Sequence, residues 1–170
     1  MNRYDEYKDI DTFVETGLGE GVTVKDVAPL FKNVHTIELS KSLFERISKR
    51  LEGLGITFHL GDSPKVLADM QDELAYPCVF YLDAHWCKGF RDDAATENPF
   101  PLWEELEVLK KRPYADIIIV DDIHAFGRKD GSGWETCSEE RIKEVLNDGR
   151  TKETMNVRDF MVFYRKRHES

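Results

Sequence analysis

Thr12-Phe13-Val14-Glu15-Thr16-Gly17-Leu18-Gly19-Glu20-Gly21 reads as a buried strand running into a glycine-rich turn that opens a helix. In an α/β protein a turn of this kind is where a nucleotide-like cofactor is held. Glycine suits it because the backbone must take a positive φ and come close to a ligand with no Cβ in the way.

Val34-His35-Thr36-Ile37-Glu38 is a second apolar run, and it ends in a carboxylate. It begins after a helical stretch of the length that a βαβ crossover requires. Glu38 falls about 20 residues past the glycines, where an acidic side chain accepts hydrogen bonds from ribose hydroxyls. The charges argue against a dinucleotide. A pyrophosphate needs bare N–H groups at a positive helix terminus, whereas Glu15 precedes this turn and Glu20 lies inside it. Two carboxylates repel a diphosphate and attract a ligand that carries an ammonium and a sulfonium. The third glycine also comes one residue earlier than in Gly-x-Gly-x-x-Gly.

Glu15-x-Gly17-x-Gly19-x-Gly21 resembles the Glu-x-Gly-x-Gly-x-Gly turn of class I S-adenosylmethionine (SAM) dependent methyltransferases. The resemblance implies SAM as cofactor, held at Glu15, Gly17 and Gly19, with Glu38 on the ribose. Strands are predicted near 12–16, 34–38, 56–60, 78–83 and 115–121. Helices are predicted near 22–31, 40–53, 63–75, 100–111 and 138–147. Such alternation implies a parallel sheet covered by helices on both faces. Glu153 to Arg158 and Phe160 to Arg165 are too close together for a crossover helix, so they should pair antiparallel. The expected fold is therefore α/β: a Rossmann-like doubly wound sheet, mostly parallel, finished by a C-terminal antiparallel hairpin. That is what a class I methyltransferase looks like.

With 170 residues, the chain is expected to form one SAM-binding domain over 1–170. A net charge of −9 argues against a nucleic-acid partner gripped through its phosphates, which requires clustered Lys and Arg. The short basic run Arg165-Lys166-Arg167-His168 reads as a solvated tail. No segment approaches the ~20 apolar residues of a membrane span, and no signal core stands near the N-terminus, so a cytoplasmic protein with no membrane partner is expected. Assembly into a homo-oligomer is compatible with all of this. Cys78, Cys87 and Cys137 are odd in number and lack Cys-x-x-Cys spacing, which fits reduced thiols.

In a doubly wound sheet, ligands sit beyond the carboxyl ends of the strands. After the third predicted strand, Gly61-Asp62-Ser63 resembles the family's adenine-contacting acidic turn, and Asp62 also suits the N-cap of the next helix. The fourth strand ends at Asp83 and the fifth at Asp121-Asp122. Adjacent strands lie about 4.8 Å apart, so Asp83 and Asp121 should face each other. At ~4 Å and an effective dielectric near 20, two carboxylates repel by about 4 kcal/mol. A raised pKa, a basic partner or a metal ion must relieve that.

Small catechol-type O-methyltransferases bind magnesium with an Asp ending the fourth strand and an Asp-Asn pair ending the fifth, and macrolide-sugar enzymes use an Asp and an Asp-Asp pair. Asp83, Asp121 and Asp122 match those positions, and Asp83 also matches a cofactor contact. The resemblance implies Mg²⁺ or Mn²⁺ at these carboxylates, consistent with hard oxygen ligands, and a small-molecule or sugar hydroxyl as methyl acceptor. The catechol run Leu-Asp-His-Trp-Lys appears here with insertions, as Leu82-Asp83-Ala84-His85-Trp86-Cys87-Lys88. Its catalytic base therefore corresponds to Lys88 or is replaced by His85. The loops Trp86 to Asn98 and Ala125 to Cys137 should frame the pocket. Two rival readings are a SAM-binding domain without methyl transfer and an NAD(P)-dependent oxidoreductase.

Overall fold

The structure is a computed structural model that describes residues 5–85, 100–129 and 133–168. Lys88, Cys87 and most of the loop after the fourth strand lie outside the described residues. The parallel part of the sheet consists of β1 (Thr12–Thr16), β2 (Asn33–Glu38), β3 (Ile56–Leu60), β4 (Val79–Leu82) and β5 (Ile117–Val120). The hairpin of β6 (Thr151–Val157) and β7 (Phe160–Arg165) follows, with β7 antiparallel to both β5 and β6. The strand order is β3-β2-β1-β4-β5-β7-β6. From β1 the chain builds outward through β2 and β3 on one side, then returns to lay β4 and the later strands on the other, so the switch in strand order falls between β1 and β4.

The helices are α1 (Val22–Val27), α2 (Lys41–Arg50), α3 (Ser63–Asp69), α4 (Leu102–Lys110) and α5 (Glu139–Val145). Each is shorter than its apolar periodicity suggested. The N-terminal ends of α2 and α5 are set by Ser40 and Ser138, whose hydroxyls accept from Leu43 N–H at 3.3 Å and Arg141 N–H at 3.2 Å. Among the described residues, no helix is long and apolar enough to cross a membrane.

Alternation along the strands divides the core. Phe13, Val79 and Tyr81 point to the face covered by Val24 of α1 and Ile47 of α2. Val14, Phe80, Leu82, Ile118 and Val120 point to the face covered by Leu67 of α3, Leu106 and Leu109 of α4 and Ile142 of α5. At the amino ends of the strands, Arg112 pairs with Asp116 at 2.8 Å, both fully buried, and Asp116 accepts Cys78 N–H at 2.9 Å. The fifth strand, expected from residue 115, starts at Ile117. Polar contacts thus seal one end of the sheet, and the other end carries the glycine turn and the strand-end carboxylates.

Candidate functional site

Gly17 is pinned from both sides where β1 gives way to the turn. Its N–H donates to Ile37 O at 2.9 Å. Its φ is +82°, and a Cβ there would lie 2.5 Å from the carbonyl oxygen of Asp83. Only glycine allows the turn to approach the end of β4 this closely. Further along, Gly19 N–H donates to Glu38 Oε2 at 3.2 Å, and Ser40 N–H donates to Oε1 at 2.7 Å. Glu38 therefore anchors the turn as well as facing it. A carboxylate has about four lone-pair positions, so accepting two N–H groups does not by itself preclude ribose hydroxyls.

Glu15 and Glu20 do not carry the free charges expected of them. Glu15 is 1% exposed and accepts the Thr36 hydroxyl at 2.6 Å. Burial, reinforced by the charges of Asp83 and Glu38, pushes its pKa up to about 8, which leaves it neutral at neutral pH. Glu20 is paired with Arg46 at 2.8 Å and Arg50 at 3.3 Å. Neither residue presents a free negative charge to a ligand.

Beyond β3, Asp62 holds the N-cap position of α3 as expected, but its side chain caps no N–H; it pairs with Lys65 at 2.9 Å. Ser63 is buried and turned inward, donating to Glu105 Oε1 at 2.5 Å. Glu105, in the first turn of α4, is 1% exposed, and burial pushes its pKa up to about 7.

At the ends of β4 and β5 the expected carboxylates gather, though in a different grouping. His85 Nε2 lies 2.7 Å from Asp122 Oδ2 and 3.4 Å from Asp83 Oδ1. Ligand atoms of Asp83, His85 and Asp122 all fall within 4.8 Å of one another. Asp121 is turned away from them: it accepts the Tyr81 hydroxyl on one oxygen and the Asp122 N–H, at 2.7 Å, on the other. The repulsion foreseen between Asp83 and Asp121 is met by burial, which raises the pKa of both, while hydrogen bonds from His85 to Asp83 and from Tyr81 to Asp121 oppose that rise. The hydrogen bond from His85 holds Asp122 below the usual carboxylate range. Because both nearby groups on Nε2 are acceptors, that nitrogen carries a proton.

A second group, Asp122, His124 and Asp159, adjoins the first, with His124 Nδ1 2.5 Å from Asp159 Oδ2. Asp159 reaches it from the β6–β7 turn, where Arg158 takes φ 57°. A shallow recess opens beside His85, between Asp83, Glu105, Asp121, Phe100 and Trp134. Trp134, in the loop expected to frame the pocket, is buried and packs its ring against Phe100 at 4.6 Å and His85 at 5.1 Å. Lys88 lies outside the described residues. Cys78 and Cys137 are buried free thiols whose pKa values burial pushes up to about 12, so neither is a nucleophile near neutral pH.

Sequence reasoning missed Glu105, Tyr81 and Asp159. Glu105 had a signal: it shares the helical stripe Leu102, Leu106 and Leu109, where a carboxylate is out of place. Tyr81 sits in an apolar strand and Asp159 in a hairpin turn, and nothing local marks either.

Five parallel strands with an inserted antiparallel β7, and a glycine turn at the switch point, define the class I methyltransferase fold. No family model matches this chain, and no curated protein matches its sequence. Solved structures share the fold. A putative methyltransferase from Streptococcus mutans, in complex with SAH, superposes with a TM-score of 0.64 at 11% identity, covering 91% of this chain and 88% of the other. A SAM-dependent methyltransferase from Anabaena variabilis gives 0.58 at 16% identity, with 91% and 77% covered. An rRNA methylase from Streptococcus thermophilus gives 0.55 at 14% identity, with 94% and 89% covered.

Proposed function

We propose that residues 1–170 form a SAM-dependent methyltransferase that transfers the methyl group to a hydroxyl of a small molecule or sugar, assisted by a divalent cation. The observation that carries this reading is the convergence of strand-end turns beside the switch point: Gly17 against the Asp83 carbonyl, Gly19 tied to the Glu38 carboxylate, and Gly61 N–H, just before Asp62-Ser63, on Glu38 O at 2.8 Å. Glu38 would take the ribose, the Gly17–Gly19 backbone the methionine part, and the Asp62 turn the adenine. Structural neighbours solved with SAH or described as SAM-dependent support the cofactor.

Some of those neighbours are described as RNA methylases. For this chain a net charge of −9, with Asp83, Asp121, Asp122 and Asp159 at the strand ends, favours an acceptor without phosphates.

Asp83, His85 and Asp122 fit a divalent cation: two carboxylates and one imidazole form a mixed set that suits Mn²⁺ better than Mg²⁺. When bound there, the ion would acidify a substrate hydroxyl. His85 has two roles open to it. As a ligand it would use Nε2, and Lys88 would then take the proton. As the base it would use Nδ1, with Nε2–H held by Asp122. In both cases the turns position the sulfonium for in-line transfer.

Calorimetry with SAM and with NAD, followed by methyl-transfer assays against hydroxyl panels of catechols and sugars, tests the reading. SAM binding with turnover of a hydroxyl acceptor is the expected result. Binding of SAM without turnover of any acceptor would leave the non-catalytic SAM-binding reading, and binding of NAD alone would overturn the cofactor.

A further inference from the structure

Glu105 is difficult to explain as part of the core. It occupies the buried stripe of α4 between Leu102 and Leu109, where leucine would complete the apolar face. Burying a carboxyl costs free energy unless its hydrogen bonds repay it. The charged groups that act on it, Asp62 at the start of α3 and Asp83 at the end of β4, are both acidic and disfavour its ionised form.

Two hydroxyls adjoin it, one of them as a hydrogen-bond partner, and each belongs to a turn of the proposed cofactor site. Ser63 Oγ, directly after Asp62, donates to Glu105 Oε1 at 2.5 Å. The Thr16 side chain, directly before Gly17, lies beside the same carboxyl. The Thr16 hydroxyl also accepts the Asp83 N–H at 3.3 Å. One line of polar contacts thus runs from the end of β4 through the end of β1 to α4, and on to the start of α3. Thr16 and Glu105 are each 1% exposed or less, and Ser63 is 5% exposed, so water does not substitute for these contacts.

We infer that Glu105 is a positioning residue for the cofactor: its carboxyl joins Thr16, Ser63 and, through Thr16, Asp83, and so fixes the spacing of the three turns that would surround SAM. The inference rests on the SAM reading proposed above. Glu105 does not touch the cofactor in this scheme. Without it, Ser63 loses its acceptor and Thr16 the carboxyl beside it, the Gly17 and Asp62 turns are no longer held at one separation, and a ligand spanning both must impose that separation itself.

The test compares SAM and SAH binding by calorimetry in wild type, Glu105→Leu, Glu105→Gln and Leu109→Ala, at a temperature where all four are folded. Leu109→Ala truncates the same buried stripe away from the turns and controls for general destabilisation. Glu105→Leu should weaken both ligands by about tenfold or more, the order of one or two lost hydrogen bonds. Glu105→Gln, which keeps an acceptor oxygen, should recover most of the affinity, and Leu109→Ala should keep the wild-type Kd while lowering Tm. If Glu105→Leu does not fold, Ser63→Ala removes one arm of the chain and should weaken SAM by about threefold or more. An unchanged Kd in Glu105→Leu, or in Ser63→Ala where the first does not fold, overturns the inference; so does a loss matched by Leu109→Ala. Wild-type protein that binds neither SAM nor SAH overturns the cofactor reading itself, a distinct outcome.

Discussion

His85 Nε2 lies 2.7 Å from Asp122 Oδ2, a contact that joins the segment after β4 to the turn after β5. Asp122 reaches it from a left-handed backbone conformation, φ 56°, which swings its side chain toward His85 while Asp121 turns to Tyr81. Two adjacent aspartates thereby acquire different chemistry: Asp122 is charged and faces an imidazole, and Asp121 is half-buried under a phenol.

That division predicts which carboxylates respond to metal. Mn²⁺ should raise the Tm of the wild type, since a ligand at 100 times its Kd adds about 2.7 kcal/mol. Asp122→Asn and Asp83→Asn should each abolish the rise, and Asp121→Asn should keep it despite a lower starting Tm. The converse, a response lost in Asp121→Asn and kept in Asp122→Asn, would restore the grouping expected from sequence alone. A wild type indifferent to Mn²⁺ in the presence of SAM would assign the cluster to hydrogen bonding.

Glu38 should serve both stability and affinity, because its carboxylate accepts Gly19 N–H and Ser40 N–H before any ligand arrives. Glu38→Ala should weaken SAM by roughly 1.5–3 kcal/mol, the range for hydrogen bonds to a charged group, and should also lower Tm. Glu38→Gln should lose less of both. Isothermal titration against thermal melts separates the effects, and full SAM affinity in Glu38→Ala would remove this side chain from the ribose.

Glu15 should cost stability as pH rises. Its pKa is raised from an ordinary 4.5 to about 8, so the folded chain holds a proton that the unfolded chain releases. Its contribution to stability is complete below pH 4.5 and lost as pH rises through about 8. Glu15→Gln mimics the protonated form and should stabilise the protein by about 2–4 kcal/mol at pH 8 and above, because a tenfold change in proton affinity corresponds to about 1.4 kcal/mol. Near pH 4.5 the gain should be small. Denaturant melts at pH 4.5, 6.5 and 8.5 read this directly. A gain independent of pH would mean that Glu15 is not protonated in the folded chain.

Much of the fold was legible because its signals are local. Glycines at 17, 19 and 21, apolar runs with strand spacing, and a hairpin too short for a crossover are properties of neighbouring residues, and each element lies within a few residues of where those signals put it. The site was legible in its residue types but not in its pairings. Asp83, His85 and Asp122 come from two strands, and their grouping depends on a left-handed turn at Asp122 that no sequence rule fixes at an aspartate. The charges of Glu15 and Glu20 were misjudged for the same reason. Thr36 lies 21 residues from Glu15, and Arg46 lies 26 from Glu20, so neither partner is visible from the turn itself.

Acid should loosen one edge of the sheet before the rest. His35 on β2 and His59 on β3 place Nδ1 and Nε2 3.1 Å apart, so one ring must donate and the other accept. Burial lowers the pKa of both below the ordinary 6.5, and for His35 the neighbouring His59 adds to the effect, with Glu73 opposing it weakly. A depressed histidine pKa means that the unfolded chain binds protons first. The stability that the neutral pair contributes is present above about pH 6.5 and is lost as pH falls through the depressed folded values. Because β3 pairs only with β2 and ends the sheet, loss of this pair should free that edge first. His59→Gln keeps a neutral hydrogen-bonding partner for His35 and removes the second titrating ring. Between pH 7.5 and 5, Tm of the wild type should fall more steeply than that of His59→Gln, with amide exchange rising first in β3. Parallel Tm curves for the two proteins over that range would show that the pair stays neutral and contributes nothing to acid sensitivity.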